Sequence, residues 1–347
     1  SRDAGDEDPD RESCPAQSEM AVAEQLAERL QLDSFTSLDF VRHYWNDVFT
    51  NFLRDYTKGL TPNPDLPCNR FVKFGHLYDY AFRRAPDRAA ANDLLATGHY
   101  ARIRQRRPGL SGPRLLRGLD RHKDQSYFLA SVPPERLDRV VFPCGLLHKE
   151  TVVELARKCN LTAQGQVSSR GICFVGKRKS VPDFIRSYAG LPPQPGRVID
   201  VDTGYEVRQH NGEALFWTVG QRARLGGQLE RYFVVAKDIE LGDVWVCRGG
   251  NHPALHVRVV RGHQVSEPLQ SELGETPRRV LARLGSREPL QACSARLVDG
   301  DTVWLEFDES RRRVSAGQAI VLYDAADAET CLGSALVDTD PLRAANR

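Results

Sequence analysis

The hydrophobic period of this chain changes once, and that change limits its architecture more than any other feature. Up to about residue 188 the apolar residues recur at helical spacing. Met20, Val22, Ala23, Leu26 and Leu30 mark an amphipathic helix over 20–32, and Phe40, Tyr44, Val48, Phe49 and Phe52 mark a second over 39–56. Residues 69–85 and 146–159 repeat the pattern, while 93–98 reads as a buried strand running into a glycine turn. Strands alternating with helices predict an α/β unit with a largely parallel sheet. Leu191-Pro192-Pro193-Gln194-Pro195-Gly196 then reads as a linker, and beyond it the period becomes two. Short strands are expected at 196–208, 216–219, 232–236, 244–247, 257–260, 303–307, 319–323 and 334–337, with Asp299-Gly300 as a hairpin turn. Many short strands separated by turn residues predict small β domains or a barrel.

Composition narrows the function classes. With 347 residues, 41% of them hydrophobic and 27% charged, the chain is neither disordered nor fibrous. No stretch has the 18 or so apolar residues of a membrane span, so a soluble protein with no membrane partner is expected. The net charge of +2 names no partner, but 40 of the 48 Lys and Arg are Arg, the cation that suits phosphate and base edges. GC-rich coding would give the same bias. Eight Cys stand at 14, 68, 144, 159, 173, 247, 293 and 331, and no two have zinc-ligand spacing, so no metal cluster is expected. Five acids in the first ten residues do not fit a mitochondrial targeting segment.

Four segments carry chemistry. In Thr61-Pro62-Asn63-Pro64-Asp65-Leu66-Pro67-Cys68-Asn69 the prolines stiffen the backbone and could present Asp65 and Cys68 at a fixed separation. Asp65 suits proton transfer, and Cys68 ahead of a helix suits a stabilised thiolate. A proline-rich turn with a buried cysteine fits the same residues. Gly171-Ile172-Cys173-Phe174-Val175-Gly176, followed by Lys177, Arg178 and Lys179, could hold a second activated thiol, or a core cysteine. Thr97-Gly98-His99-Tyr100 follows a strand end, where open α/β sheets take ligands. Residues 102–123 hold eight Arg or Lys against the single acid Asp120, and lead into Lys123-Asp124-Gln125. This basic loop or hairpin could contact phosphate or a base edge; a solvated helix start capped by Asp124 fits the same residues.

In order along the chain, TPNPDLPCN, ATGHYARI, GLDRHKDQSYFL, GICFVG, FWTVGQRARLGG, YFVVAKD and VSAGQAIVLYD–CLGSALV resemble the tRNA-specific 2-thiouridylases, most closely the mitochondrial members. The resemblance covers nearly the whole chain from about residue 20. It implies an α/β fold with an ATP-pyrophosphatase-like parallel-sheet domain over 1–188, a small central β-rich domain over 189–254 and a C-terminal β-barrel over 255–347. It implies Cys68, Cys173 and Asp65 as catalytic residues and Gly98 as an ATP contact. Asn63, Pro64, Asp65, His99, Lys123, Asp124, Gln125, Arg283 and Gln318 fall on the family's RNA-contacting positions. ATP with Mg2+ is the implied co-substrate, a persulfide the sulfur carrier, and a tRNA anticodon loop and a cysteine desulfurase or sulfur-relay protein the implied partners.

The pattern is broken in three places. The family begins with a strand and a Ser-Gly-Gly-Val-Asp-Ser phosphate loop, which these residues do not contain. Gln166-Val167-Ser168-Ser169 replaces the usual Lys and Asp ahead of the second cysteine. Arg283-Leu284 keeps the barrel's cation and loses its aromatic partner. The expected activity is wobble-uridine 2-thiolation, in a mitochondrial setting. The alternative is an inactive tRNA-binding form without ATP binding.

Overall fold

The computed structural model describes residues 16–82, 93–105, 112–161, 185–186, 188, 190 and 192–338. Its first helix, Ala16–Arg29, precedes a long helical run in which Val41–Tyr44 passes into a π-helical stretch, Trp45–Phe49, and then into Thr50–Thr57. A second run starts at Asp65–Pro67, is π-helical over Cys68–Leu77 and ends in Tyr78–Phe82. The two wide stretches face each other, and His76 Nε2 lies 2.8 Å from Asp47 Oδ2 between them. Apolar spacing predicts both helices but not their widening, since the same apolar face serves either turn.

The parallel pair β1 (Leu95–Ala96) and β4 (Val140–Val141) represents the α/β sheet. The strand expected there exists but is not buried: Ala96 is exposed and Leu94 is 58% exposed. The basic segment, read as a loop or a hairpin, forms a hairpin, β2 (Ala101–Arg104) against β3 (Arg114–Arg117). The later helix runs over Lys149–Lys158.

After the linker, β5 (Pro195–Asp200), β6 (Glu206–Asn211), β7 (Arg222–Ala223), β8 (Tyr232–Lys237) and β9 (Val244–Arg248) form a sheet in the order β6-β5-β9-β8-β7. Two expectations change here. The single strand over 196–208 is two strands, because Asp200 accepts from the backbone N–H groups of Asp202 and Thr203 and turns the chain. Residues 216–219 are not a strand: Glu213–Phe216 is a short 3-10 turn.

Six strands close the barrel: β10 (His256–His263), β11 (Arg278–Arg283), β12 (Gln291–Leu297), β13 (Thr302–Arg312), β14 (Ala319–Asp324) and β15 (Cys331–Val337), in the order β10-β13-β12-β11-β14-β15. Closure removes the exposed edges of a small sheet. Strand β14 is buried on both faces. Ile320 and Leu322 fill the barrel, whereas Ala319, Val321 and Tyr323 join Leu66, Phe74, Tyr127 and Leu129 of the first unit in one core. Barrel and first unit therefore share their apolar interior, which fixes one against the other. No helix among the described residues is long and apolar enough to cross a membrane.

Candidate active site

Prolines 62 and 64 keep the chain out of regular structure, and the barrel holds it instead. Thr61 N donates to Ala316 O across 2.8 Å. Gly317 permits this approach: its φ is +83°, and a β-carbon there would stand 2.9 Å from Leu60 Cβ. Asn63 Oδ1 then accepts from Asp65 N at 2.9 Å, an Asx turn that opens the second helical run. Pro67 falls in the first helical turn, where a missing N–H leaves no bond unmade. Asp65 and Cys68 are thus one turn apart at a helix N-terminus, whose dipole favours a thiolate. Asn69, buried behind them, donates to Asp65 O (3.0 Å) and to Phe128 O (3.2 Å), tying this turn to the helix Ser126–Leu129.

Asp65 keeps an open face, yet crowding at its base desolvates the carboxyl and raises its pKa, with the Lys73 charge pulling the other way. Burial first, and Lys73 second, push His99 down to about 4, so its imidazole is neutral at physiological pH. Its Nδ1 lies 2.7 Å from Thr97 Oγ1, and its ring meets Phe74 and Phe142 with centroids 5.6 and 5.7 Å away. The charge of Lys73 thus acts on both Asp65 and His99. Sequence reading passed over Lys73, because an α-helix would turn it away from Cys68. In a π-helix hydrogen bonds run from i to i+5, so the residue five after Cys68 returns to nearly the same side.

The other expected residues divide into surface and support. Lys123 is exposed. Gln125 exchanges two bonds with the backbone of Tyr100, each 2.9 Å, and so sets the Gly98-His99 turn. Asp124 is buried and accepts from Gly118 N (3.0 Å), Ser126 N (3.1 Å), Arg117 Nε (3.3 Å) and Arg283 Nη1 (3.1 Å). Where the resemblance expects Arg283 and Asp124 to meet RNA, the structure pairs them inside the joint between hairpin and barrel, with Arg283 only 4% exposed. They support the site and present no charge to solvent. Gln318 is half-buried two residues beyond Ala316. Gly98 stands open, a β-carbon on it meeting nothing within 4 Å, so a nucleotide can approach. Its turn holds one glycine and by itself makes no phosphate cradle.

Cys173 lies outside the described residues. No disulfide joins any two of the six described cysteines. Burial pushes the thiols of Cys247, Cys293 and Cys331 up to about 11, 12 and 12, which leaves them protonated and inert. No His, Cys, Asp and Glu cluster among the described residues is arranged to hold a metal ion.

The basic hairpin departs most from expectation. Arg102 and Arg121 both pair with Glu329, Arg104 with Asp327 (3.5 Å), Arg114 with Glu272, and Arg117 with Asp124. These cations clamp the barrel. Arg106 and Arg107 lie outside the described residues.

Comparison with known proteins agrees with this three-part build. Residues 2–177 match the tRNA methyl transferase HUP domain, 182–248 the tRNA methyl transferase PRC-barrel domain and 258–337 the aminomethyltransferase beta-barrel domain. The chain is 37% identical to the tRNA-specific 2-thiouridylase MnmA of Marinobacter nauticus over 96% of its own length and 82% of the relative's. For the enzyme of the same name from Pseudomonas paraeruginosa the values are 38%, 96% and 85%, and for that from Hahella chejuensis 37%, 96% and 88%. Likeness across all three units, at 37% identity over 96% of the chain, places the protein in the tRNA-specific 2-thiouridylase family.

Proposed function

We propose that this chain transfers sulfur to C2 of a tRNA wobble uridine, giving 2-thiouridine. The observation that carries the reading is the placement of Asp65 and Cys68 one turn apart on a helix start pinned by the barrel. Uridine O2 is a poor leaving group, and ATP, as its magnesium complex, supplies the adenylyl group that makes it a good one. The target base leaves its stack to reach the site, as anticodon-loop bases can. Asn63-Pro64 and the neutral His99 orient it, and Lys123 and Gln318 hold the neighbouring RNA. Asp65, whose carboxyl is held above its ordinary range by desolvation and so takes up a proton more readily than a free one, handles the proton at the base.

Cys173 carries the sulfur as a persulfide received from a cysteine desulfurase or relay protein. The terminal persulfide sulfur bonds to C2 as AMP leaves. The Cys68 thiolate then attacks the Cys173 sulfur, the S–S bond to the transferred atom breaks, and 2-thiouridine departs. A Cys68–Cys173 disulfide remains for an external dithiol to reduce. A mitochondrial setting belongs to the proposal and rests on motif likeness alone, the relatives named above being bacterial. Fractionation of cells carrying a tagged protein tests it.

The decisive experiment supplies ATP, a sulfur donor and tRNA to the protein and analyses nucleosides by mass spectrometry. Wild type should form 2-thiouridine. Cys173→Ser should neither load persulfide nor form product, and Cys68→Ser should load sulfur without releasing product. Product formation by Cys173→Ser at the wild-type rate would end the relay.

A further inference from the structure

The segment Gly220-Gln221-Arg222-Ala223-Arg224 takes no part in the site just described. Along it exposure alternates: Arg222 and Arg224 face out, while Ala223 and Leu225 are buried. In the β7–β8 ladder Arg222 stands opposite Phe233 and Ala223 opposite Tyr232, so Arg224 and Arg231 follow on the two chains at the ladder's end. Arg231 is exposed as well. From the barrel, exposed Arg312 lays its guanidinium 5.1 Å from the centroid of the Phe233 ring. Gly220 allows this junction: its φ is +83°, and a β-carbon there would stand 2.9 Å from Arg313 O and 3.9 Å from Arg312 Nε.

None of these four guanidinium groups has an acidic partner among the described residues. The nearby acid Glu230 is exposed and lies 3.9 Å from Arg248. The face also adjoins the active site. Ser315 Oγ is 3.4 Å from Val219 O, and Ala316 O holds Thr61 N, the start of the Asn63-Pro64-Asp65 loop. Arg312 and Ala316 are four positions apart, a span of at most about 14 Å.

We propose that Arg222, Arg224, Arg231 and Arg312, set round Phe233, form an RNA surface that takes the sugar-phosphate backbone next to the nucleotide in the active site. Arg suits this task, since its planar fork matches phosphate oxygens and its face stacks on rings. Several uncompensated cations on one face release counterions when a polyanion docks. The inference rests on the RNA half of the function proposed above and adds the residues that grip the substrate away from the chemistry.

The test compares wild type with Arg222→Gln/Arg224→Gln/Arg312→Gln in the full chain. tRNA affinity is followed by fluorescence anisotropy between about 50 and 200 mM salt. Each lost phosphate contact should lower the slope of log affinity against log salt by roughly 0.7–0.9, so the triple variant should lose about two to three from its slope. Thermal melting checks that the variant folds. Arg224→Gln alone, an exposed change, should lower the slope by about one if the triple variant fails to fold. An unchanged slope overturns the proposal and leaves the face to an acidic protein. The chemistry is judged separately: a wild type that makes no 2-thiouridine, beside a triple variant with a lowered slope, overturns the sulfur transfer and supports the surface. Thiolation by wild type beside an unchanged slope does the reverse.

Discussion

Two arginine-rich regions of this molecule have opposite fates. The β2–β3 hairpin is the richer in sequence, yet its described arginines are taken up by Glu272, Glu329, Asp327 and Asp124. The β7 edge holds fewer cations, and those have no acidic partner among the described residues. Local charge density along a sequence therefore says little about what a polyanion will feel. The acids that decide it come from positions 124 to 329, brought to the hairpin by the fold.

The most disruptive way to test this contrast is to remove the buried acid. Asp124→Asn leaves Arg117 and Arg283 facing a neutral amide in the interior, and breaking a buried pair costs about 3–5 kcal/mol. Denaturant unfolding should show a loss of that size. A loss under about 1 kcal/mol would mean that the hairpin does not depend on this joint.

A middle-sized effect concerns pH at the site that both regions flank. His99 stays neutral in the fold down to about 4, while the unfolded chain takes up its proton near 6.5. Between those values the unfolded state binds more protons, so stability rises with pH and is lost as pH falls from about 6.5 to about 4. His99→Gln should flatten that part of the stability profile. An identical slope in the variant would show that the imidazole is not desolvated.

The smallest effect is expected from the outer hairpin pairs. Arg104→Gln and Arg121→Gln remove partly exposed bridges worth roughly 0–1 kcal/mol each, and should leave the salt slope of tRNA binding unchanged. A lowered slope would return the hairpin to the RNA surface and erase the contrast.

How much of this could be read beforehand follows from what each residue needs. The change of period pointed to small β domains or a barrel, and the proline-bracketed Asn63-Pro64-Asp65 with Cys68 offered the candidate site, because both are local patterns. Strand β12 escaped notice because Ala292, Cys293, Ser294 and Ala295 are all small and give no apolar alternation, although Cys293 and Ala295 face the barrel interior. Lys73 was missed because its position depends on a widened helical turn. Arg283 kept its aligned position but not its expected exposure, since its partner Asp124 lies 159 residues away and no periodicity encodes such a pairing.

The bond from Thr61 to Ala316 also sets a schedule. A ribosome delivers Asp65 and Cys68 about 250 residues before the barrel turn, between β13 and β14, that fixes their loop. At roughly 5–20 residues per second that is an interval of tens of seconds or somewhat less. Throughout it the first unit carries its thiol and carboxylate without the contact that aligns them. The reaction centre is completed only when this later stretch of chain has been made, so a polypeptide cut short before it keeps the chemical groups and lacks their geometry.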